Sequence, residues 1–341
     1  MENQHLTYFK VENFKKFDSL EIKDIGQFNL IVGDNNVGKT CFLESLLINS
    51  DDSVLLDNWI NILEKRSLIK IENSNELIKS DFRSNEVLAN KYYSLFKKNF
   101  LKNNKEAISF YFNEDLTDRI IIDNKGDRWL SLYSKSFYKI IQNYVLNDKK
   151  DFNFSFIAFN STYEKDIFQL YYNIKTKSDK ENLVKTLQVI DDNIMDVELR
   201  QNFDDLENVF LLSFKDKDEF VPVNYLGDGF KRIFYIALKV LSLKGKRIMI
   251  DEIETGIHYS RQKDFWINIL KICTELDVQI FATTHSNECI QAFYEASKQL
   301  NEQRDIRLIS LQEGEQDKIY STTYNFENIE AGLYSNIELR A

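Results

Sequence analysis

Apolar and polar positions alternate in two rhythms along the chain, and together they predict interleaved strands and helices. Phe28-Asn29-Leu30-Ile31-Val32 is almost continuously apolar, as a strand buried on both faces requires. Residues 6–12 and 20–25 alternate only partly and predict a small sheet leading into that strand; Cys41 to Ile48 then reads as a helix. From about 51 to 105 the chain is polar with helical spacing (Leu55, Ile60, Leu63, then Leu88, Tyr92, Leu95, Phe96). Strand-like runs follow at 107–112 and 119–122, a helix is expected over 134–146, and 152–159 alternates well enough for a core strand. Helices are predicted over 164–173 and 179–199. In the longer one Leu183, Leu187, Ile190, Ile194 and Val197 recur at three and four residues, without the sustained heptads of a coiled coil. Runs 209–212 and 221–223 predict a hairpin returning the chain to the main domain.

The signals become dense from residue 226. Phe230, Ile233, Phe234, Ala237, Leu238 and Leu241 lie on one helical face, and a Lys-Gly-Lys turn leads into the apolar strand Ile248-Met249-Ile250. A helix over 259–276 presents Phe265, Trp266, Ile269, Leu270, Cys273 and Leu276 inward. A strand over 278–282, a helix carrying Ile290, Phe293, Ala296 and Leu300, and strands over 306–311 and 318–323 follow. Fully apolar strands separated by amphipathic helices predict an α/β sheet covered on both faces.

The first strand runs straight into Gly33-Asp-Asn-Asn-Val-Gly-Lys-Thr40, with a helix behind it. Strand, GxxxxGK[ST] and helix together form the phosphate-binding loop pattern. Its glycines allow close backbone wrapping, and successive N–H groups and the helix N-terminus face anionic oxygens. Gly33, Asn36, Val37, Gly38, Lys39, Thr40 and Cys41 are therefore the candidate nucleotide-binding residues, with Lys39 as the mobile cation and the Thr40 hydroxyl as a Mg²⁺ ligand. Asp251 closes a later apolar strand, where a carboxylate can meet the same metal, and Glu252 is the candidate to activate water. A carboxylate pair at a strand end can also be a helix N-cap; the phosphate loop upstream favours the catalytic reading. His285 ends the next strand and is a candidate γ-phosphate or water contact, although a single histidine is more often structural.

The 341 residues suffice for one large or two ordinary domains, and no apolar run approaches the roughly 20 residues of a membrane span. The start lacks a basic and apolar leader, so a cytoplasmic location and no membrane partner are expected. Cys41, Cys273 and Cys289 are widely spaced in helical patterns and read as thiols, not as a disulfide frame or zinc site. Lys and Arg number 44 against 54 Asp and Glu, giving a net charge of −10. That balance gives no support to avid nucleic-acid binding. The basic clusters at Lys97-Lys98 with Lys102 and Lys105, and at Lys244 to Arg247, read as solvated surface.

Taken in order, GDNNVGKT, the LGDGFKR stretch from Leu226 to Arg232, IMIDEIE and TTHS resemble the Walker A, signature, Walker B and switch-histidine motifs of ABC-type ATPase heads. The opening YFKVENFKKFDSLEI and the phrase DEIETGIHYS resemble the prokaryotic branch that includes the recombination F protein, SMC-like heads and, most closely, the overcoming-lysogenization-defect (OLD) ATPases. The resemblance is strong over residues 1–49 and about 205–300. It implies an α/β ABC-type P-loop NTPase head with an N-terminal antiparallel β-subdomain and a mainly helical insertion. The core would comprise 1–50 and 205–341, and the insertion 51–204, with additional core strands near 107–122 and 152–159.

The same resemblance implies ATP and Mg²⁺ as cofactors, with Gly227, Asp228 and Gly229 of one copy covering the nucleotide bound by another. Self-association as an ATP-sandwiched homodimer or higher oligomer follows. This signature lacks the serine of LSGGQ, and its Asp228 has to point away from the γ-phosphate or be balanced by Lys231 or Arg232. Asn160 and Gln169 are the candidates for a glutamine-loop residue. OLD proteins carry a TOPRIM nuclease, whereas the stretch after His285 has only Asp305 and Asp317 and no Asp-x-Asp, so a nuclease is expected on a separate partner chain. The leading functional expectation is an ATPase that regulates a separate effector, a nuclease or toxin encoded nearby, in a prokaryotic antiphage defence system. The alternatives are a DNA-repair or chromosome-maintenance ATPase that binds DNA directly and, last, the energy unit of a membrane transporter.

Overall fold

The structure is a computed structural model. It describes residues 5–47, 155–159, 166–203 and 206–335, strands 107–112 and 116–121, and residues 58, 61–62, 98–100 and 102. The expected helix over 134–146, most of the helical spacing of 51–105, and Asn160 lie outside the described residues.

The centre is a six-stranded sheet in the order β13-β12-β3-β11-β10-β6. Its strands are β3 (Phe28–Gly33), β6 (Phe156–Ile157), β10 (Arg247–Ile250), β11 (Gln279–Thr283), β12 (Ile306–Glu313) and β13 (Ile319–Tyr324). All neighbours are parallel except β12 and β13. β3 and β11 are buried along their whole length, as strands covered on both faces must be. Because β3, β11 and β10 run the same way side by side, the loops leaving their C-terminal ends share one edge of the sheet. Open α/β sheets bind ligands at that edge.

A four-stranded antiparallel sheet, β2-β1-β4-β5, opens the chain; it comprises β1 (Phe9–Phe14), β2 (Phe17–Ile22), β4 (Ala107–Phe112) and β5 (Leu116–Ile121). β2 is stitched to β13 by hydrogen bonds from Ser321 Oγ to Glu21 O and from Thr323 Oγ1 to Lys23 O (2.9 Å). A three-stranded antiparallel sheet comprises β7 (Ile194–Phe203), β8 (Leu206–Phe214) and β9 (Lys217–Pro222). The expected domain boundary at 204/205 falls in the β7–β8 connection. The architecture is mixed α/β, with a central sheet parallel except at its β13 edge and an antiparallel N-terminal sheet, the layout that the sequence resemblance implies.

The described helices are α1 (Lys39–Ser45), α2 (Ile167–Tyr172), α3 (Lys177–Gln188), α4 (Asp228–Ser242), α5 (Gln262–Leu276), α6 (Asn287–Leu300) and α7 (Phe326–Tyr334). α4 is buried almost all round and packs against α2, α3 and α5, so it is a core helix rather than a surface one. The predicted helix over 179–199 is corrected. It ends at Gln188, and Asn193 N–H bonds the Asp191 carboxylate (2.9 Å) in a turn built by Asp191-Asp192-Asn193. Ile194 and Val197 belong to β7, where an irregularity between 194 and 196 lets two residues three apart both turn inward. That spacing imitates a helix.

Candidate functional site

At the C-terminal edge of the central sheet a cavity of about 450 Å³ is lined by Asn36, Gly38, Lys39, Thr40, Cys41, Asp251, Glu252 and His285, together with Lys16, Glu44, Ile62, Phe156, Ala158 and Phe159. Gly33 and Val37 lie beneath the loop. Gly33 has φ +138°, and a Cβ there would stand 2.3 Å from the Leu311 carbonyl oxygen, so β12 can pair this closely only with a glycine. Val37 is fully buried and props the loop from below.

The Lys39 ammonium is turned back onto its own loop, donating to the carbonyls of Gly33 (2.6 Å) and Asp34 (2.8 Å), and lies 3.3 Å from His285 Nδ1. Burial pushes its pKa down to about 8, against the pull of the Asp251, Asp34, Glu252 and Glu254 carboxylates. Thr40 Oγ1 donates to the Asp251 carboxylate at 3.0 and 3.2 Å. Those separations match the edge of an oxygen octahedron of roughly 2.1 Å radius, the size that Mg²⁺ demands. Among the described residues no cluster of three or more His, Cys, Asp or Glu could hold a metal alone. A hydroxyl and a carboxylate that leave the remaining positions to phosphate and water suit Mg²⁺.

Asp251 is 4% exposed, and burial raises its pKa against hydrogen bonds from Thr283 and Thr40 that favour the charged form. Thr283, fully buried, links the two carboxylate residues: its hydroxyl donates to Asp251 Oδ1 (2.7 Å) and accepts from Glu252 N–H (2.8 Å). Glu252 sits in the left-handed region at φ +48°, a conformation that costs a non-glycine residue energy and is held here by that bond. Its carboxylate reaches within 3.8 Å of His285 Nε2. The structure thus brings Lys39, Thr40, Asp251, Glu252 and His285 together from segments more than 200 positions apart.

Gly227, Asp228 and Gly229 do not line this cavity. A Cβ on Gly229 would meet the Gly256 carbonyl oxygen at 2.4 Å, whereas one on Gly227 would meet nothing within 4 Å among the described residues. Of the two signature glycines, close packing requires only the second. Asp228 is balanced by Lys231 (3.5 Å), while Arg232 is engaged elsewhere. Gln169 lies exposed on α2, away from the cavity.

Arg232 is the residue whose placement its sequence position conceals. It is 1% exposed and its guanidinium donates to the carbonyls of Ala158 and Phe159 (2.8 Å each), Asp251 (2.6 Å) and Glu252 (3.1 Å). It therefore ties the end of β6 to the end of β10 through the first turns of α4. The one sequence signal is a cation directly before the apolar run Ile233 to Leu238. Lys16 is a second such residue: from the β1–β2 turn it lines the cavity and donates to Asn36 O. Behind it Lys15 pairs with buried Glu44 on α1.

Comparison with known proteins bears on the fold and the family. A curated relative, the "ATP/GTP phosphatase" of Helicobacter pylori (strain ATCC 700392 / 26695), is 24% identical over 94% of this chain and 96% of its own length. Among solved structures, an SMC head bound to the C-winged helix domain of ScpA aligns over 96% of this chain and all of its own, at 12% identity and TM-score 0.54. An SMC head domain with an extended coiled coil, bound to the C-terminal domain of ScpA and derived from Pyrococcus furiosus, aligns over 98% and 100% at 11% identity and TM-score 0.50. At such identities these structures speak for the fold alone. A family model matches residues 28–290, from the strand before the phosphate loop to the helix after His285. The chain belongs to the family described as "AAA domain, putative AbiEii toxin, Type IV TA system", and is an AAA/ABC-type nucleoside-triphosphatase domain.

Proposed function

We propose that the protein is an ATPase whose nucleotide-dependent self-association controls a separate effector, a nuclease or toxin, in a prokaryotic antiphage defence system of the OLD-like kind. The observation that carries the ATPase reading is the convergence of Lys39, Thr40, Asp251, Glu252 and His285 on one cavity at the sheet edge. In this reading the loop N–H groups and Lys39 hold the β- and γ-phosphates, while Thr40 and Asp251 hold Mg²⁺, which supplies charge neutralisation at the phosphates. Glu252 takes the proton of the attacking water, and His285 steadies the γ-phosphate end. The family's toxin–antitoxin description and the OLD-like phrase DEIETGIHYS support the defence role.

Self-association is supported by the signature segment. Gly227 to Gly229 lie off the cavity of their own chain, and the start of α4 presents Tyr225, 80% exposed, and Asp228 to solvent. A second copy would bring this face over the phosphate loop. Glu252→Gln keeps the side-chain shape but loses the base, so it should bind ATP, hydrolyse it slowly and accumulate as a dimer or higher oligomer. Light scattering with and without ATP and Mg²⁺ reads this directly. A mass that stays monomeric under saturating ATP sinks the shared-site reading, and unchanged turnover removes Glu252 from the base role. An adjacent nuclease or toxin gene whose product copurifies with this chain supports the effector role; recombination or permease neighbours count against it.

A further inference from the structure

We propose that Glu254 is a positioning residue for His285, and through it for the phosphate end of the site; the proposal deepens the ATPase reading and rests on it. Glu254 Oε1 accepts the His285 backbone N–H at 2.9 Å. The segment from Thr283 to Ser286 is pinned one amide at a time. Thr284 N–H goes to Ile31 O on β3 (3.1 Å) and Ser286 N–H to Thr284 Oγ1 (3.0 Å), which leaves the His285 amide to the Glu254 carboxylate. The imidazole that this amide carries has little latitude. One ring nitrogen stands 3.3 Å from the Lys39 ammonium and the other 3.8 Å from the Glu252 carboxylate, so a small rotation of the backbone loses one contact or the other.

Glu254 is itself held by the tight turn that follows Asp251. Glu252 is left-handed, Ile253 N–H bonds Thr283 O (3.0 Å), and Ile257 N–H bonds Glu254 O (3.0 Å). Residues 252–254 and 283–285 are therefore zipped together: Glu252 amide to Thr283 hydroxyl, Ile253 amide to Thr283 carbonyl, and His285 amide to Glu254 carboxylate.

A simple need to satisfy one N–H does not account for a glutamate here. At Glu252 the same task is done by the neutral Thr283 hydroxyl. Glu254 Oε2 is buried and has no hydrogen-bond partner among the described residues, an unfavourable arrangement for a carboxylate. What the charge adds is negative potential at the two buried cations of the site: Glu254 opposes the burial-driven loss of charge at both Lys39 and Arg232. Hydrogen bond and charge together place the His285 ring beside a charged Lys39.

The test uses Glu254→Ala, Glu254→Gln, His285→Ala and the Glu254→Ala/His285→Ala double variant. Alanine at 254 should lower kcat about 10-fold, the scale of losing a residue that orients a reacting group, with KM for ATP within about twofold. Glutamine keeps an oxygen of the same reach and should recover most of that loss. In the His285→Ala background, alanine at 254 should cost nothing further.

A readout without nucleotide separates this proposal from the reading beneath it. The chain has three histidines, and the His285 ring-proton resonance is the one missing from His285→Ala. It should shift or broaden in Glu254→Ala and stay near its wild-type position in Glu254→Gln, with the His5 and His258 signals unmoved. A His285 resonance that ignores Glu254→Ala, or kcat losses that multiply independently in the double variant, overturns the proposal. A wild-type protein that hydrolyses no ATP overturns the ATPase reading, and the resonance still decides the placement of His285. Should Glu254→Ala not fold, Glu254→Asp, which keeps the charge but falls short of the His285 amide by one methylene, takes its place: a displaced His285 signal is the expected result, and a wild-type signal and kcat overturn the proposal.

Discussion

Thr283→Val removes one hydroxyl from a fully buried side chain and leaves its volume almost unchanged. Two hydrogen bonds go with it. The bond donated to Asp251 Oδ1 at 2.7 Å is charge-assisted and contributes about 1.5–3 kcal/mol; the Glu252 N–H, 2.8 Å away, is left buried without its acceptor at about 1–3 kcal/mol. The added methyl returns about 0.8 kcal/mol, so the net loss should be about 2–5 kcal/mol. The loss is pH-dependent. The folded-state pKa of Asp251 is already raised, so its ionisation weakens the fold as pH rises from the unfolded value through the folded one. Without Thr283 that pKa rises further, and the deficit should be largest once Asp251 is ionised and shrink in acid. Urea unfolding near pH 8 and pH 5, followed by ATP turnover, checks both points against Thr283→Ser, which keeps the hydroxyl and should lose only about 1 kcal/mol. Thr283→Val within about 0.5 kcal/mol of wild type, or Thr283→Ser equally destabilised, refutes the bridging role.

Lys39, at about 8 in the free protein, is drawn toward its charged form by a triphosphate, so ATP affinity should hold below pH 8 and fall above it by at most about tenfold per unit. Calorimetry in buffers of different ionisation heat should show proton uptake. Lys39→Arg should flatten any remaining dependence, and an affinity constant from about pH 7 to about pH 9.5 counts against the shifted lysine. Gly229→Ala drives a methyl into the Gly256 carbonyl oxygen at 2.4 Å and should lower the melting temperature, whereas Gly227→Ala, with open space around it, should not; equal behaviour of the two rejects the packing account. Arg232→Met leaves four carbonyls without their donor and should destabilise by about 3 kcal/mol or more in denaturant titration, with Asp251 and Glu252 the first residues released. A neutral outcome would show that water replaces the guanidinium.

Strands β3, β10 and β11 are legible in the sequence because burial on both faces demands unbroken apolar runs, which few other elements do. The phosphate loop is legible for a different reason: its chemistry is local, carried by glycines, Lys39 and Thr40 within eight positions. The helix misread through 199 shows the limit of periodicity, since a strand irregularity at 194–196 reproduces a helical spacing and only the Asp-Asp-Asn turn marks the break. Arg232, Thr283, Glu254 and Lys16 escape a linear reading because their partners lie 19 to 74 positions away. A buried cation and an exposed one look the same in sequence until the fold supplies four carbonyls. Helix α7 had no predicted counterpart, although Asn325, whose side chain caps it by accepting from Asn328 N–H, is an ordinary helix start.

The position of β3 in the sheet bears on how the protein is made. β3 is an early strand, yet it is hydrogen-bonded on one side by β11 and on the other by β12, with Phe28 aligned to both Ile280 and Ile306. In a nascent chain β3 therefore cannot pair on one side before residues 279–283 have been synthesised, nor on both sides before 306–311 have followed. The interval in which β3 lacks its neighbours is when a chaperone is most needed. Moving β3 behind β12 by circular permutation would shorten that interval, and a higher soluble yield at low chaperone levels is the expected sign.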